Sequence, residues 1–308
     1  MKRLSPGKPI ILLTFLVVIW GLCWPVFKVT LAYTPPLLFG GMRNLLGGLF
    51  LVVLAFPRRR LIRWRETWPI YFISALFNSI LFYGTQTVGL EYLPSGLFSV
   101  IVYLQPVLVG VFAWMWLGES MSALKITGLI LGFIGVAAVS TEGLSGNISL
   151  LGIILALGCS VSWALGTVYV KKTSSAVDPV WLVAIHCLIG GTVLTGVGLG
   201  VENAASIVWN STYWFGLLYG GILGIAVSWV IYFKLVNAGE ASKVASFTFI
   251  VPLISVLIGT LILHEPFTFY LVLGIVLIVT SICLVNRQSS AGRVPRNTRN
   301  SGVSPFLE

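Results

Sequence analysis

The chain has 308 residues, 57% hydrophobic and only 9% charged, with a net charge of +10. A soluble domain carries roughly a quarter charged residues, so most of this surface faces lipid or buried protein. The basic residues stand in short segments between apolar runs, without the interleaved aromatics that grip single strands, so the excess charge points to a membrane and not to nucleic acid.

A helix needs about 20 apolar residues to cross a bilayer. Ten runs meet that test, over roughly 10–31, 37–56, 69–88, 94–117, 123–141, 149–170, 179–200, 213–236, 243–263 and 267–285. They are continuous and not alternating, which predicts helices instead of barrel strands. The first follows Met1-Lys2-Arg3, is too long for a signal-peptide core and precedes no small-x-small cleavage site, so it reads as a retained span. Punctuation separates the rest. Thr34-Pro35-Pro36 divides the first two, Pro57 and three arginines close the second, and Asp178-Pro179 and Glu265-Pro266 open the seventh and tenth. Cys23, Cys159, Cys187 and Cys283 all fall inside apolar runs and form no CxxC pair, so they read as packing residues. His186 and His264 have no partners at metal-ligand spacing, and neither a metal nor a cofactor is expected.

The chain repeats itself. Leu104-Gln105-Pro106 runs through Leu117-Gly118-Glu119, and Ile250-Val251-Pro252 runs through Leu263-His264-Glu265; Gly128 and Gly274 follow each glutamate by the same interval. The offset is 146 throughout. At an offset of 143, Trp20 matches Trp163, Lys28 matches Lys171, and Arg43 with Gly47-Gly48 matches His186 with Gly190-Gly191. A long repeat of this kind governs a fold. Residues 10–141 and 149–285 therefore read as two five-span units, between a short cytoplasmic segment (1–9) and a polar, disordered cytoplasmic tail (286–308).

Five is odd, so the second unit must be inverted relative to the first. With the N-terminus inside, seventeen of the nineteen lysines and arginines fall on cytoplasmic segments, among them Arg58, Arg59, Arg60, Arg63 and Arg65. Both termini are expected in the cytoplasm of a cell whose plasma membrane holds the protein.

Inverted repeats place solute sites near the midplane, between the halves. The candidate cavity residues are Trp20, Trp24, Asn78, Tyr83, Gln86, Tyr103, Ser162, Trp163, Trp229, Tyr232 and Phe247. Trp20 lies near the middle of its span, where its N–H needs a partner or a cavity. The polar residues either line a solute path or bond helix to helix. Arg43 is the one charge clearly inside a span, about 9 Å deep by helical rise. It reads either as a structural arginine on helix-end carbonyls or as an anion contact or gate, and His186, its twin, has the same two readings. Pro106 and Pro252 each remove one backbone hydrogen bond and permit matched kinks. Glu119 and Glu265 end their spans just before the next helix, which suits a turn or cap better than proton transfer.

No acidic residue stands mid-span, which argues against proton-coupled export of lipophilic cations, and no mid-depth lysine favours a phosphorylated sugar. Paired intramembrane aspartates, HExxH, or serine with histidine are missing, so no enzyme is expected. A neutral or zwitterionic metabolite suits the serine-, asparagine- and aromatic-lined interior that remains.

The Trp20-Gly21 pair, Arg43, and the doubled Pro106…Gly118-Glu119…Gly128 and Pro252…His264-Glu265…Gly274 resemble the EamA-type drug/metabolite transporters over residues 10–286. The resemblance implies an all-α polytopic membrane protein with ten transmembrane helices, in two inverted five-helix repeats around a central cavity. It further implies an inner-membrane carrier that alternates access and exports amino acids or related metabolites. Its partners would be the lipid bilayer and a small-molecule metabolite. A passive channel or facilitator, or a non-transporting scaffold, remains the other reading of the same sequence.

Overall fold

Lipid offers the backbone no hydrogen-bond partner, so apolar sequence of this length must satisfy its own amides. The computed structural model describes residues 7–93, 95–139, 149–254 and 269–287, and the regular structure among them is entirely helical. The expectations for the tail and for Glu265 fall outside the described residues, as does the side chain of Trp24. Six helical runs are long and apolar enough to cross a membrane: Pro9–Tyr33, Pro36–Leu61, Val100–Leu117, Leu150–Thr173, Pro179–Val201 and Ser211–Ala238. Ala123–Ala138, Ala241–Ile254 and Val272–Asn286 are shorter apolar helices. The protein is a multi-pass membrane protein.

In chain order, α1 is Gly7–Thr30 and α2 is Pro36–Ala55. α3 (Trp64–Ala75), a π-helical turn (Leu76–Leu81) and α4 (Phe82–Tyr92) make one continuous run. It is long, but Asn78, Ser79, Thr85, Gln86 and Thr87 make it more polar than the six above. α5 (Ser95–Val102) and α6 (Gln105–Leu117) follow, then α7 (Ala123–Val139), α8 (Leu150–Thr173) and α9 (Pro179–Val201). α10 (Ser211–Leu218), a second π-helical segment (Tyr219–Val227) and α11 (Ser228–Ala238) are again continuous. α12 (Ala241–Ser246) passes into a 3₁₀ turn (Phe247–Phe249), and α13 is Phe269–Asn286.

The run read from sequence as one span over 94–117, with a kink permitted at Pro106, carries a turn at Tyr103–Leu104 between α5 and α6. Proline at the second position of α6 explains the turn, because Pro106 has no N–H to carry the ladder across. The tightened turn at Phe247–Phe249 stands at the matching place before Pro252. The two π segments also correspond: their first residues, Leu76 and Tyr219, stand 143 apart, the interval between Arg43 and His186.

Glycines set how closely the helices approach. α2 lies along α9, and a Cβ on Gly191 would come within 2.7 Å of the Leu45 amide nitrogen; one on Gly48 would come within 3.0 Å of the Ala184 carbonyl. Gly48 and Gly191, one from each doublet, thus clear the crossing reciprocally, as small residues do where membrane helices pack by van der Waals contact. α7 lies along α13 in the same way, with Gly128 against the Ser281 carbonyl.

Polar contacts sort the loops onto two faces. Arg58 pairs with Asp178 at 3.8 Å, and its carbonyl accepts the Trp181 indole N–H at 3.2 Å. Asp178 also caps α9 through the Val180 and Trp181 amides. At the other end of α9, Glu202 accepts the Leu37 and Leu38 amides, both at 2.8 Å, and so caps α2. Nearby the Val208 amide donates to the Tyr33 carbonyl.

Candidate functional site

Trp20, from the middle of α1, meets Trp163 of α8 and Trp229 of α11 at ring-centroid distances of 5.6 and 5.8 Å. Trp163 and Trp229 are 6.3 Å apart, and Phe82 packs against both. The edge-to-face geometry is the arrangement that aromatic quadrupoles prefer. Three helices distant in sequence are joined here by indole rings, and a cavity of about 60 Å³ opens beside them. Its wall is Trp20, Cys23, Phe27, Arg43, Phe82, Tyr83, Gln86, Val102, Tyr103, Trp163, Gly224, Ile225 and Trp229.

Two of the indoles are anchored by their N–H groups. Trp20 donates to the Gly224 carbonyl at 3.1 Å, inside the second π segment, and Trp229 donates to the Tyr83 hydroxyl at 2.9 Å. Trp163 Nε1 is buried with no hydrogen-bond partner. Val102 and Tyr103 enter the wall from the turn between α5 and α6.

Arg43 reaches the cavity from α2. Its guanidinium lies 3.9 Å from the Phe27 ring centroid, 4.6 Å from Phe39 and 5.6 Å from Tyr83. The side chain is buried, and Nε and Nη1 have no hydrogen-bond partner. His186 is in a different position. It bonds the Ser74 hydroxyl at 3.1 Å, packs edge-on to Trp229 and Phe233, and is outside the cavity wall.

Of the cavity candidates read from sequence, Trp20, Tyr83, Gln86, Tyr103, Trp163 and Trp229 line the wall. Asn78, Ser162, Tyr232 and Phe247 do not. Asn78 donates to Ser74 within its own helical run and sits over Gly166, while Ser162 donates to the Phe77 carbonyl and so ties the α3–α4 run to α8. Tyr232 holds Gln105 and Thr167 through its hydroxyl while its ring backs Trp20. Phe247 belongs to the 3₁₀ turn. Cys23, Phe27 and Phe82 were not picked out from sequence. A signal existed for the first two, since Trp20, Cys23 and Phe27 fall at i, i+3 and i+7 and share one helix face.

Glu119 is a cap, though not of its own next helix. Its carboxylate accepts the Ala241 amide at 2.5 Å, the Ser242 amide at 3.3 Å and the Ser242 hydroxyl, at the start of α12. Lys171, at the end of α8, pairs with it at 3.1 Å and also donates to the Gly239 carbonyl. Lys125 lies 3.7 Å from Glu119 and 2.8 Å from Glu240. One carboxylate therefore gathers the ends of α6, α7, α8 and α12. Among the described residues no cluster of histidine, cysteine, aspartate or glutamate has the makings of a metal site.

The pattern of the EamA-like transporter family matches residues 7–141 and again 150–287. A Bacillus subtilis (strain 168) protein, "Uncharacterized transporter YvbV", is 55% identical over 94% of this chain and 95% of its own. The Escherichia coli (strain K12) "Probable amino-acid metabolite efflux pump" is 27% identical over 88% of this chain and 92% of its own. One solved crystal structure shares the fold with a TM-score of 0.77, covering 92% of this chain and 97% of its own at 19% identity.

Proposed function

The chain belongs to the EamA-like transporter family, and on that premise we propose that it is a secondary active exporter of small neutral or zwitterionic metabolites, amino acids among them. The observation that carries this reading is the aromatic cavity where α1, α8 and α11 meet beside the divided α5–α6 helix. Interrupted helices at membrane depth are characteristic of transporter sites, where irregular backbone lines a cavity. The amino-acid assignment is supported by the printed name of the Escherichia coli relative.

In this reading ten spans form two inverted five-helix repeats in the cell membrane, with both termini in the cytoplasm. Support comes from the 143-residue spacing of the π segments, the reciprocal glycine doublets of α2 and α9, and the concentration of basic residues on one set of loops. The Glu119 cluster then lies on the cytoplasmic side and closes it. At about 60 Å³ the cavity holds a few waters, whereas metabolite pockets measure about 300–1,000 Å³. Loading a solute therefore requires the rings to part, which is a conformational step of the kind alternating access needs.

The test is counterflow in proteoliposomes. Labelled amino acid should accumulate transiently against excess internal unlabelled solute and saturate with concentration. Linear, non-saturating flux with no counterflow would identify a passive pore, and no flux for any solute would sink the transport reading.

A further inference from the structure

We propose that Arg43 is the seat of a substrate carboxylate, so that the cavity selects small monoanionic or zwitterionic acids with an apolar or aromatic body. This deepens the transport reading and rests on it.

The guanidinium keeps its charge in proteins. Here it is 2% exposed, and among the described residues no carboxylate pairs with it. Phe27 and Phe39 cover its faces and offset part of its lost hydration. Ring faces do nothing for the in-plane N–H groups, and Nε and Nη1 remain without acceptors. A buried charge left this way is costly unless something pairs with it. Arg43 is in the cavity wall, so a carboxylate that entered the cavity would come up beside this guanidinium.

The other polar groups of the wall agree. Trp163 Nε1 is a second buried donor with no acceptor, and the Tyr83 oxygen already accepts from Trp229. Beside these groups the wall holds the Gln86 amide and the Tyr103 hydroxyl, one positive charge and no carboxylate. One cation balances one negative charge, which favours a carboxylate over a dianionic phosphate, and the guanidinium fork suits a planar two-oxygen group. Trp20 and Trp229 have their N–H groups engaged and line the cavity with their rings, which suits an apolar or aromatic body. An ammonium, where the substrate has one, would meet aromatic rings and uncharged polar side chains of the wall, Gln86 and Tyr103 among them. His186 supplies no matching charge, because it is bonded to Ser74 outside the wall.

The test measures binding of tritiated L-phenylalanine to the purified full-length protein in nanodiscs. Unlabelled L-leucine, phenylacetate, L-phenylalaninamide and phenethylamine serve as competitors. L-phenylalanine and L-leucine should compete, and the amide and the amine, which lack a carboxylate, should be at least tenfold weaker. Competition by phenylacetate would identify simple organic acids as substrates, and its failure would show that the ammonium is also read; either fits a carboxylate seat. Arg43→Gln should weaken binding at least tenfold, Arg43→Lys should keep part of it, and Trp163→Phe should weaken it severalfold with the ring retained. Should Arg43→Gln fail to fold, Arg43→Lys and Trp163→Phe decide the matter. The proposal is overturned if the amide or amine competes as well as phenylalanine, if these variants bind within twofold of wild type, or if no carboxylate probe binds. Counterflow separates the two readings: exchange of phenethylamine unaffected by Arg43→Gln leaves transport standing without the carboxylate seat. Arg43-dependent binding without counterflow does the reverse.

Discussion

Lys171 Nζ lies 3.1 Å from the Glu119 carboxylate, which joins the end of α8 to the turn that closes α6. Burial alone would raise the Glu119 carboxyl, but the Ser242 hydroxyl, the Lys171 charge and the Ala241 amide outweigh it and hold the group below its ordinary 4.5. Glu240 is lowered likewise, with burial opposed by Lys125 and Lys243. A depressed folded-state value gives stability that is complete above the unfolded value and lost as pH falls through the folded one. The thermal midpoint in detergent should therefore hold from pH 7 to 5 and fall below pH 4.5. Glu119→Gln should lose about 2 kcal/mol at pH 7 and show a shallower acid slope, with Glu240 supplying what remains. Equal acid slopes in the two proteins would show that Glu119 is not the group responsible.

The same contacts make an expectation about access. If the Glu119 cluster closes the cytoplasmic side, weakening it should open a path to Cys23, a buried thiol in the cavity wall. The background for this measurement is Cys283→Ser, which removes the exposed thiol. In inverted membrane vesicles, N-ethylmaleimide should label Cys23 at least threefold faster in Glu119→Gln than in its parent, as read by mass spectrometry. An unchanged rate would mean that the cluster stabilises the turn without gating it.

The repeat, the helical class and the membrane setting were legible in the sequence because each is written in periodic or compositional signals. The direction in which individual side chains point was not. α8 and α11 scatter serine, threonine, tyrosine, lysine and asparagine among apolar residues, so the polar pattern does not single out the face turned to the cavity. Asn78 and Trp163 therefore looked equally suited to a solute path, and packing places Trp163 in the cavity wall and Asn78 against Ser74 and Gly166. Glu119 was recognisable as a cap from its place beside Gly118, the αL residue that ends α6. Its partner was not, because Ala241 lies 122 residues away and local sequence carries no record of that pairing. The turn within the span expected over 94–117 was visible in outline, since Pro106 was read as permitting a kink and the turn sits two residues before it.

Two glycines on α9 make opposite predictions. A methyl at Gly191 would meet backbone, the Leu45 amide nitrogen at 2.7 Å, so Gly191→Ala forces α2 and α9 apart. Overpacking of this kind costs about 1–3 kcal/mol. At Gly196 nothing lies within 4 Å of the added carbon, so Gly196→Ala should gain about 0.5–1 kcal/mol from helix propensity alone. Thermal midpoints of the two variants in one detergent should move in opposite directions. A Gly191→Ala protein as stable as wild type would mean that the helices separate there without loss.

Trp20 holds the aromatic cluster to the second π segment through Gly224 while its ring touches Trp163, Trp229 and Tyr232. Trp20→Phe keeps an aromatic surface and removes the N–H, whereas Trp20→Ala removes both. If the ring forms the solute surface, transport should fall about tenfold or more in Trp20→Ala, by analogy with the cost of deleting a central aromatic anchor at about 2 kcal/mol or above. Trp20→Phe should retain an intermediate rate. The ring borders an existing void, so Trp20→Ala enlarges that space instead of opening a new one in packed core. Accumulation of the protein in the membrane should accordingly stay near wild type. Counterflow measured at matched protein density reads the outcome: equal rates for Trp20→Ala and wild type would remove Trp20 from the solute surface, and loss in both variants alike would assign the effect to the Gly224 bond.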